Sequence, residues 1–281
     1  MIGAIVVNGY YKSNSYTNQV NRIIEEFQFL EIKIEIYSNK EPIVIGQKFK
    51  WDFVIFLDKD INFAKILQES GVIVINSPNA IELADNKNKT SIYLSKYDIK
   101  LPKTIPAPKQ YKYQLDINYC KKVIEILKLP LIVKSAYGSL GMQVYKADTL
   151  DELIKIVDNL KCEEFCYQEY VKTSEGISIR AILIDKKVVC AMSLTNNKDF
   201  RSNAHLGGKA KDIKLSDKQK EMAEKIAVTM DLDYCGIDFF GNSDMPIEVN
   251  SNAFFETIES VCKVNVAKIF AQYIINKVGK V

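Results

Sequence analysis

The chain has 281 residues, with 38 Lys and Arg set against 35 Asp and Glu, a formal charge of +3 and a single histidine. A charge so close to zero lacks the basic excess of a nucleic-acid-binding protein, and one imidazole, His205, excludes metal sites built on two or three histidines. Hydrophobic residues at 47%, and six cysteines with no C-x-x-C pair, describe a globular chain with buried thiols rather than a disulfide framework.

Residues 2–7 form an apolar, β-branched run that reads as a strand buried on both faces. They carry no basic start, and the longest apolar runs, such as 53–57, are too short to span a bilayer. A cytoplasmic protein without membrane association is expected. Val20, Ile23, Ile24 and Phe27, spaced at three and four, predict a helix over 16–29. Strand runs at 32–37, 53–57 and 72–75, with a helix over 63–69 before the last, predict a small α/β layer with a mostly parallel sheet. Ser77-Pro78 opens a further helix, because proline suits a first turn.

Pro102, Pro106 and Pro108 mark a loop or an edge strand. A helix over 119–127 leads into a strand at 130–134, and Gly138 and Gly141 interrupt the pattern before Val144. Thr149-x-x-Glu152 reads as a capping box ahead of a helix at 153–160. The last third reads as antiparallel. It has strands at 165–171, 177–184 and 188–194, the last two joined by a hairpin turn at 185–187. Ser216-x-x-Gln219 caps another helix, 235–240 and 246–250 form a second hairpin, and a helix over 266–276 closes the chain.

Three groups of residues carry chemistry. Glu248 and Asn250 lie two apart on a strand and so share a face, and a turn centred near Ser243 sets Asp238 opposite Glu248. Acidic groups among Ile237, Phe239, Ile247 and Val249 are costly unless paired or bound to a cation, and three oxygen donors suit magnesium. The competing reading is a solvated strand edge. Lys134 ends an apolar strand before Ser135-Ala136-Tyr137-Gly138-Ser139-Leu140-Gly141, where a lysine and glycine backbone suit a phosphate. The G-K-[ST] ending of a Walker loop is missing, and an ordinary glycine turn explains the same residues. Phe200-Arg201-Ser202-Asn203-Ala204-His205-Leu206-Gly207-Gly208 gathers a guanidinium, an amide and an imidazole in a polar loop. A plain exposed loop, or a hydrolase built on His205, competes here, although no G-x-S-x-G elbow supports a hydrolase.

Taken in order, these motifs resemble the ATP-grasp ligases, and within them the RimK-type ribosomal-protein glutamate ligases and the LysX-type carrier-protein ligases. Asp85-Asn86-Lys87-Asn88-Lys89-Thr90 is similar to the family's D-x-K-x-x-T segment, and 130–134 with Gly138 and Gly141 to its strand lysine and phosphate loop. Gln168-Glu169-Tyr170-Val171 is similar to its adenine hinge, 176–180 to its next strand, and 200–208 to the RimK-type loop. Gly236-Ile237-Asp238 and Glu248-Val249-Asn250 are similar to its metal ligands. The likeness covers residue 76 onward well and the first 75 in pattern only.

The resemblance implies an ATP-grasp fold of mixed α/β and α+β class. It divides into an N-terminal α/β domain over 1–85, a small lobe over 86–165 and a C-terminal lobe over 166–281, the two lobes clamping ATP. It implies that Lys87, Lys134, Gly138, Ser139, Gly141, Gln168, Glu169, Tyr170, Val171, Ser178 and Arg201 surround ATP, with Glu169 and Val171 offering backbone groups to adenine. Asp238, Glu248 and Asn250 would hold two magnesium ions, with manganese a possible substitute. Arg201, Lys134, Gly207 and Gly208 would act in the chemistry, and Arg180, Asn203, His205, Asn252 and Phe254 would face substrate. The implied activity forms an acyl phosphate from ATP and a carboxylate, then an amide with an amino acid, glutamate first. The acceptor would be a peptide, a protein or a small molecule, and a homo-oligomer is a further expectation. A nucleotide-binding module without turnover and a ligase tailoring a peptide natural product are the alternatives. Two departures stand out: Ser178 replaces an acidic residue, and Ser251-Asn252-Ala253-Phe254-Phe255 replaces a small-Pro-Gly segment.

Overall fold

The computed structural model describes residues 1–138, 141–172, 175–197, 199–202, 208–241 and 243–280. Strands β1 (Ile2–Val7), β2 (Lys33–Ser38), β3 (Phe53–Leu57) and β4 (Ile73–Ile75) form a parallel sheet in the order β2-β1-β3-β4. Alternate residues of β1 and β3 enter different cores, which explains their unbroken apolar runs. Ala4, Val6, Val54 and Phe56 pack with Phe63 and Leu67 of helix α2 (Ile61–Glu69). Ile5, Phe53 and Ile55 pack with Ile23 and Phe27 of helix α1 (Asn14–Phe29). Ser77 caps α3 (Pro78–Asp85) by accepting from the Ala80 N–H, with proline in the first turn as expected.

Helix α4 (Lys87–Leu94) leads to a second sheet of β5 (Thr104–Pro106), β6 (Leu131–Ser135), β7 (Val144–Ala147) and β8 (Phe165–Glu169). Its pairs are all antiparallel, in the order β5-β8-β6-β7. Leu131, Val133, Phe165 and Tyr167 face helices α5 (Ile117–Leu127) and α6 (Leu150–Leu160), with Cys120, Val123 and Leu153 between them. The prolines at 102–108 do mark an edge strand, β5. A boundary at 165/166 separates β8 from the strands it pairs with, so the division we propose for the small lobe falls after Glu169.

The third sheet is antiparallel, β11-β10-β9-β12-β13, built from β9 (Ile177–Ile184), β10 (Lys187–Thr195), β11 (Lys209–Asp212), β12 (Tyr234–Phe240) and β13 (Pro246–Asn250). Asp185 and Lys186 join β9 to β10 with φ of 51° and 62°, as a type I′ turn requires. Odd residues of β9, Ile179, Ala181 and Leu183, pack with Ala223 and Ile226 of helix α7 (Asp217–Thr229). Ile182 and Ile184 on the other face join the large core with Phe270 of helix α9 (Val266–Val278) and Ile258 of α8 (Glu256–Cys262).

The capping box expected at Ser216-x-x-Gln219 forms in full, and other local readings are corrected. Thr149 accepts from the Glu152 N–H, but the Glu152 carboxylate takes the Asp148 N–H one residue early, so that box is half made. The strand expected over 165–171 ends at Glu169, and β11 and α8 are regular elements that the sequence reading did not place.

Candidate active site

The alternation that fills the cores also makes the site. On β6 the residues between Leu131, Val133 and Ser135 are Ile132 and Lys134, which face away from α5 and α6. On β9 and β12 the even residues nearest the chain's second sheet are Ser178, Arg180, Asp238 and Phe240, ahead of core residues Ile182 and Tyr234 on the same face. These two surfaces enclose a cleft holding about 880 Å³ of space, open to solvent.

Lys87, Lys134, Gly141, Gln168, Glu169, Tyr170, Val171, Ser178, Arg201, Asp238 and Glu248 all line this cleft. Lys134 is 7% exposed, and burial lowers its pKa from the ordinary lysine range. Cys166 stands opposite it across the β6–β8 pair. Lys87 Nζ donates to the Gly138 carbonyl at 3.1 Å and lies 3.7 Å from Glu248 Oε1. Its backbone N–H donates to Ala136, so one residue touches α4, the glycine turn and β13. Arg201 pairs with Asp199 through Nε and Nη2 at 3.0 and 2.7 Å, and its Nη1 donates to the Gly141 carbonyl at 2.8 Å. The guanidinium thereby reaches from the third sheet's side of the cleft to the glycine turn.

The expected register holds: Asp238 lies directly opposite Glu248, and Gly236 opposite Asn250. Asp238 is gripped by Arg180, whose Nε and Nη2 donate to its two oxygens at 2.7 Å each. Asn250 Oδ1 accepts from the Asn252 N–H at 3.0 Å. Among the described residues no three His, Cys, Asp or Glu stand together as a metal cluster. Two carboxylates and an amide oxygen nonetheless form an all-oxygen set, which fits magnesium when phosphate and water complete the shell.

The remaining expected residues differ in what they touch. Glu169 donates its N–H to the Lys103 carbonyl, so that N–H is not offered to a base. Ser178 accepts a hydrogen bond from Ser202, while Glu175 lines the same cleft. Asn252 and Phe254 face α1: Asn252 Oδ1 accepts from Gln19 at 3.2 Å, and Phe254 meets Tyr16 edge-on at 6.4 Å. Ser139, Asn203, His205 and Gly207 lie outside the described residues, and Gly208 is partly buried before β11. Sequence reading missed the apolar lining of Ile132, Val144, Leu194, Phe240 and Ile247. Ile132 was findable, because it sits two residues before Lys134 on one strand face. Leu194 was not, since only the β9–β10 pairing brings it there.

A family model described as a RimK-like ATP-grasp domain matches residues 84–274. The chain is 32% identical over 252 residues to an uncharacterised protein of Mycoplasma genitalium, covering 85% of this chain and 87% of that one. It is 30% identical over 272 residues to β-citrylglutamate synthase B of Danio rerio, covering 89% and 66%. The D-alanine–D-alanine ligase of Bacillus anthracis superposes with a TM-score of 0.77 over 100% of this chain and 98% of that one, at 17% identity, a likeness of fold.

Proposed function

The chain belongs to the RimK-like ATP-grasp family of ligases, and we propose that it is an ADP-forming enzyme joining a carboxylate to the amine of an amino acid. The carrying observation is one cleft in which Lys87, Lys134 and Arg201 face Asp238 and Glu248. Lysines and an arginine neutralise phosphate, and phosphoryl transfer depends on positioning and charge more than on covalent help. Lys134 would meet phosphate as a point charge from a dry wall. Arg201, held by Asp199 beside Gly141, would meet the transferring phosphoryl group and then the oxyanion of the amide-forming step. The apolar walls Ile132 and Ile247 would take the base, with Gln168–Val171 at its edge. Magnesium held by Asp238, Glu248 and Asn250 would supply charge for the phosphate oxygens. Glutamate, part of the product named for the Danio rerio relative, is the first amine to test. A small carboxylate or a peptide end is the acceptor class.

The test is ADP release with Mg-ATP against pools of amino acids and carboxylates. Substrate-dependent ADP that falls at least a hundredfold in Lys134→Ala and Glu248→Gln is expected. ATP binding with no turnover in any pool would leave a binding module instead.

A further inference from the structure

Arg180 is not among the described residues that line the cleft, yet its guanidinium grips Asp238, which does line it. We propose that Arg180 is a positioning residue that holds Asp238 in readiness for a divalent cation, rather than a hand for substrate. The proposal rests on the metal assignment made above.

The geometry comes from register. Asp238 has a directly opposed neighbour on each side of β12: Glu248 on β13 and Arg180 on β9. Directly opposed residues project to the same face, so Arg180, Asp238 and Glu248 form a row of three across three strands. Two carboxylates side by side repel, and few polar neighbours are available in a half-buried cleft. The guanidinium on the outer flank of Asp238 offsets that repulsion.

The bond pattern sets the orientation. Nε and Nη2 take the two oxygens of Asp238 at 2.7 Å each, the bidentate fork that fixes a carboxylate plane. Each carboxylate oxygen keeps a second lone pair for another partner. Asn250 is treated similarly, its oxygen held by the Asn252 N–H. Glu248 has the looser hold, with Lys87 at 3.7 Å. Two of the three donors are therefore oriented by a neighbour before any cation arrives, which is how outer partners tune a metal site. A lysine at 180 would supply the charge but not the planar fork.

The experiment measures Mn²⁺ binding by electron paramagnetic resonance in the presence of a non-hydrolysable ATP analogue, with metal-free analogue binding measured separately. In Arg180→Met, Mn²⁺ affinity is expected to fall about 10- to 100-fold. Metal-free analogue affinity should move less than about threefold, with circular dichroism confirming the fold. Arg180→Lys should recover part of the loss. Unchanged Mn²⁺ affinity in folded Arg180→Met, while Asp238→Asn loses it, would overturn the proposal and leave the metal assignment standing. Unchanged affinity in Asp238→Asn as well would overturn both. A raised KM for the amine or the acceptor with Mn²⁺ binding intact would return Arg180 to the substrate side.

Discussion

Lys134 sets stability against function at a single residue. It is 7% exposed, and burial of its ammonium outweighs the attraction of Glu248; among the described residues no carboxylate hydrogen-bonds to it. Lys134→Met is therefore expected to raise stability by about 1–2 kcal/mol, while ATP-dependent turnover is lost. Differential scanning calorimetry of the nucleotide-free protein would show this as a rise in Tm of about 2 °C or more. The pH dependence follows from the lowered pKa. Above the ordinary lysine range both the folded and unfolded side chains are neutral and no penalty exists. As pH falls, the unfolded chain takes up its proton first, so the folded state loses ground until its own lower pKa is passed. The stability gap between Lys134→Met and the parent should thus narrow as pH rises through the alkaline range. A gap that widens there would refute the burial argument.

At the scale of elements, the turn at Gly176 ahead of β9 is held by the backbone beside it. Gly176 precedes β9 with a φ of +67°, and a Cβ built on it would meet the Asn196 carbonyl oxygen at 2.2 Å. The Gly176 carbonyl accepts the Asn196 N–H at 2.7 Å, so the two backbones are locked at close approach. Gly176→Ala is expected to cost about 1–3 kcal/mol, from strain in the backbone and displacement of the Asn196 and Asp199 carbonyls. Urea titration would measure it, and a midpoint unchanged from the parent would count against the close approach. The segment 196–202 carries Asp199 and Arg201, so the same variant should weaken nucleotide binding as well.

At the scale of the molecule, two sheets bound the cleft, and described polar ties cross it. Arg201 reaches the Gly141 carbonyl from one side, and Lys87 reaches Gly138 and Glu248 from another. A nucleotide with its metal would add ties to both walls at once. Binding to the folded state alone stabilises by about 2.7 kcal/mol at a hundredfold excess over Kd. For a chain of 281 residues that is a Tm rise of about 4–5 °C with Mg²⁺ and a non-hydrolysable ATP analogue. Thermal scanning should show the rise in the parent and its loss in Lys134→Ala. No shift at saturating analogue would argue against the cleft as the nucleotide site. Among the described residues no helix is long and apolar enough to cross a membrane.

The sequence alone determined much of this protein, because the signals were local. The apolar runs of β1 and β3, the three-and-four spacing in α1 and the Ser216-x-x-Gln219 box each report a neighbour within a few residues. The facing of Asp238 and Glu248 was also legible, since a short hairpin fixes its own register. The half-made box at Thr149 failed because two adjacent N–H groups compete for one carboxylate, a choice that spacing does not encode. Only the tertiary structure decided what depends on distant strands. It put Arg180 on Asp238 through the β9–β12 register, turned Phe254 toward Tyr16 of α1, and brought Leu194 and Ile247 into one lining. Strand order is set by which faces can be buried together, so the partners of a cleft residue are chosen by the whole core and not by its neighbours in the chain.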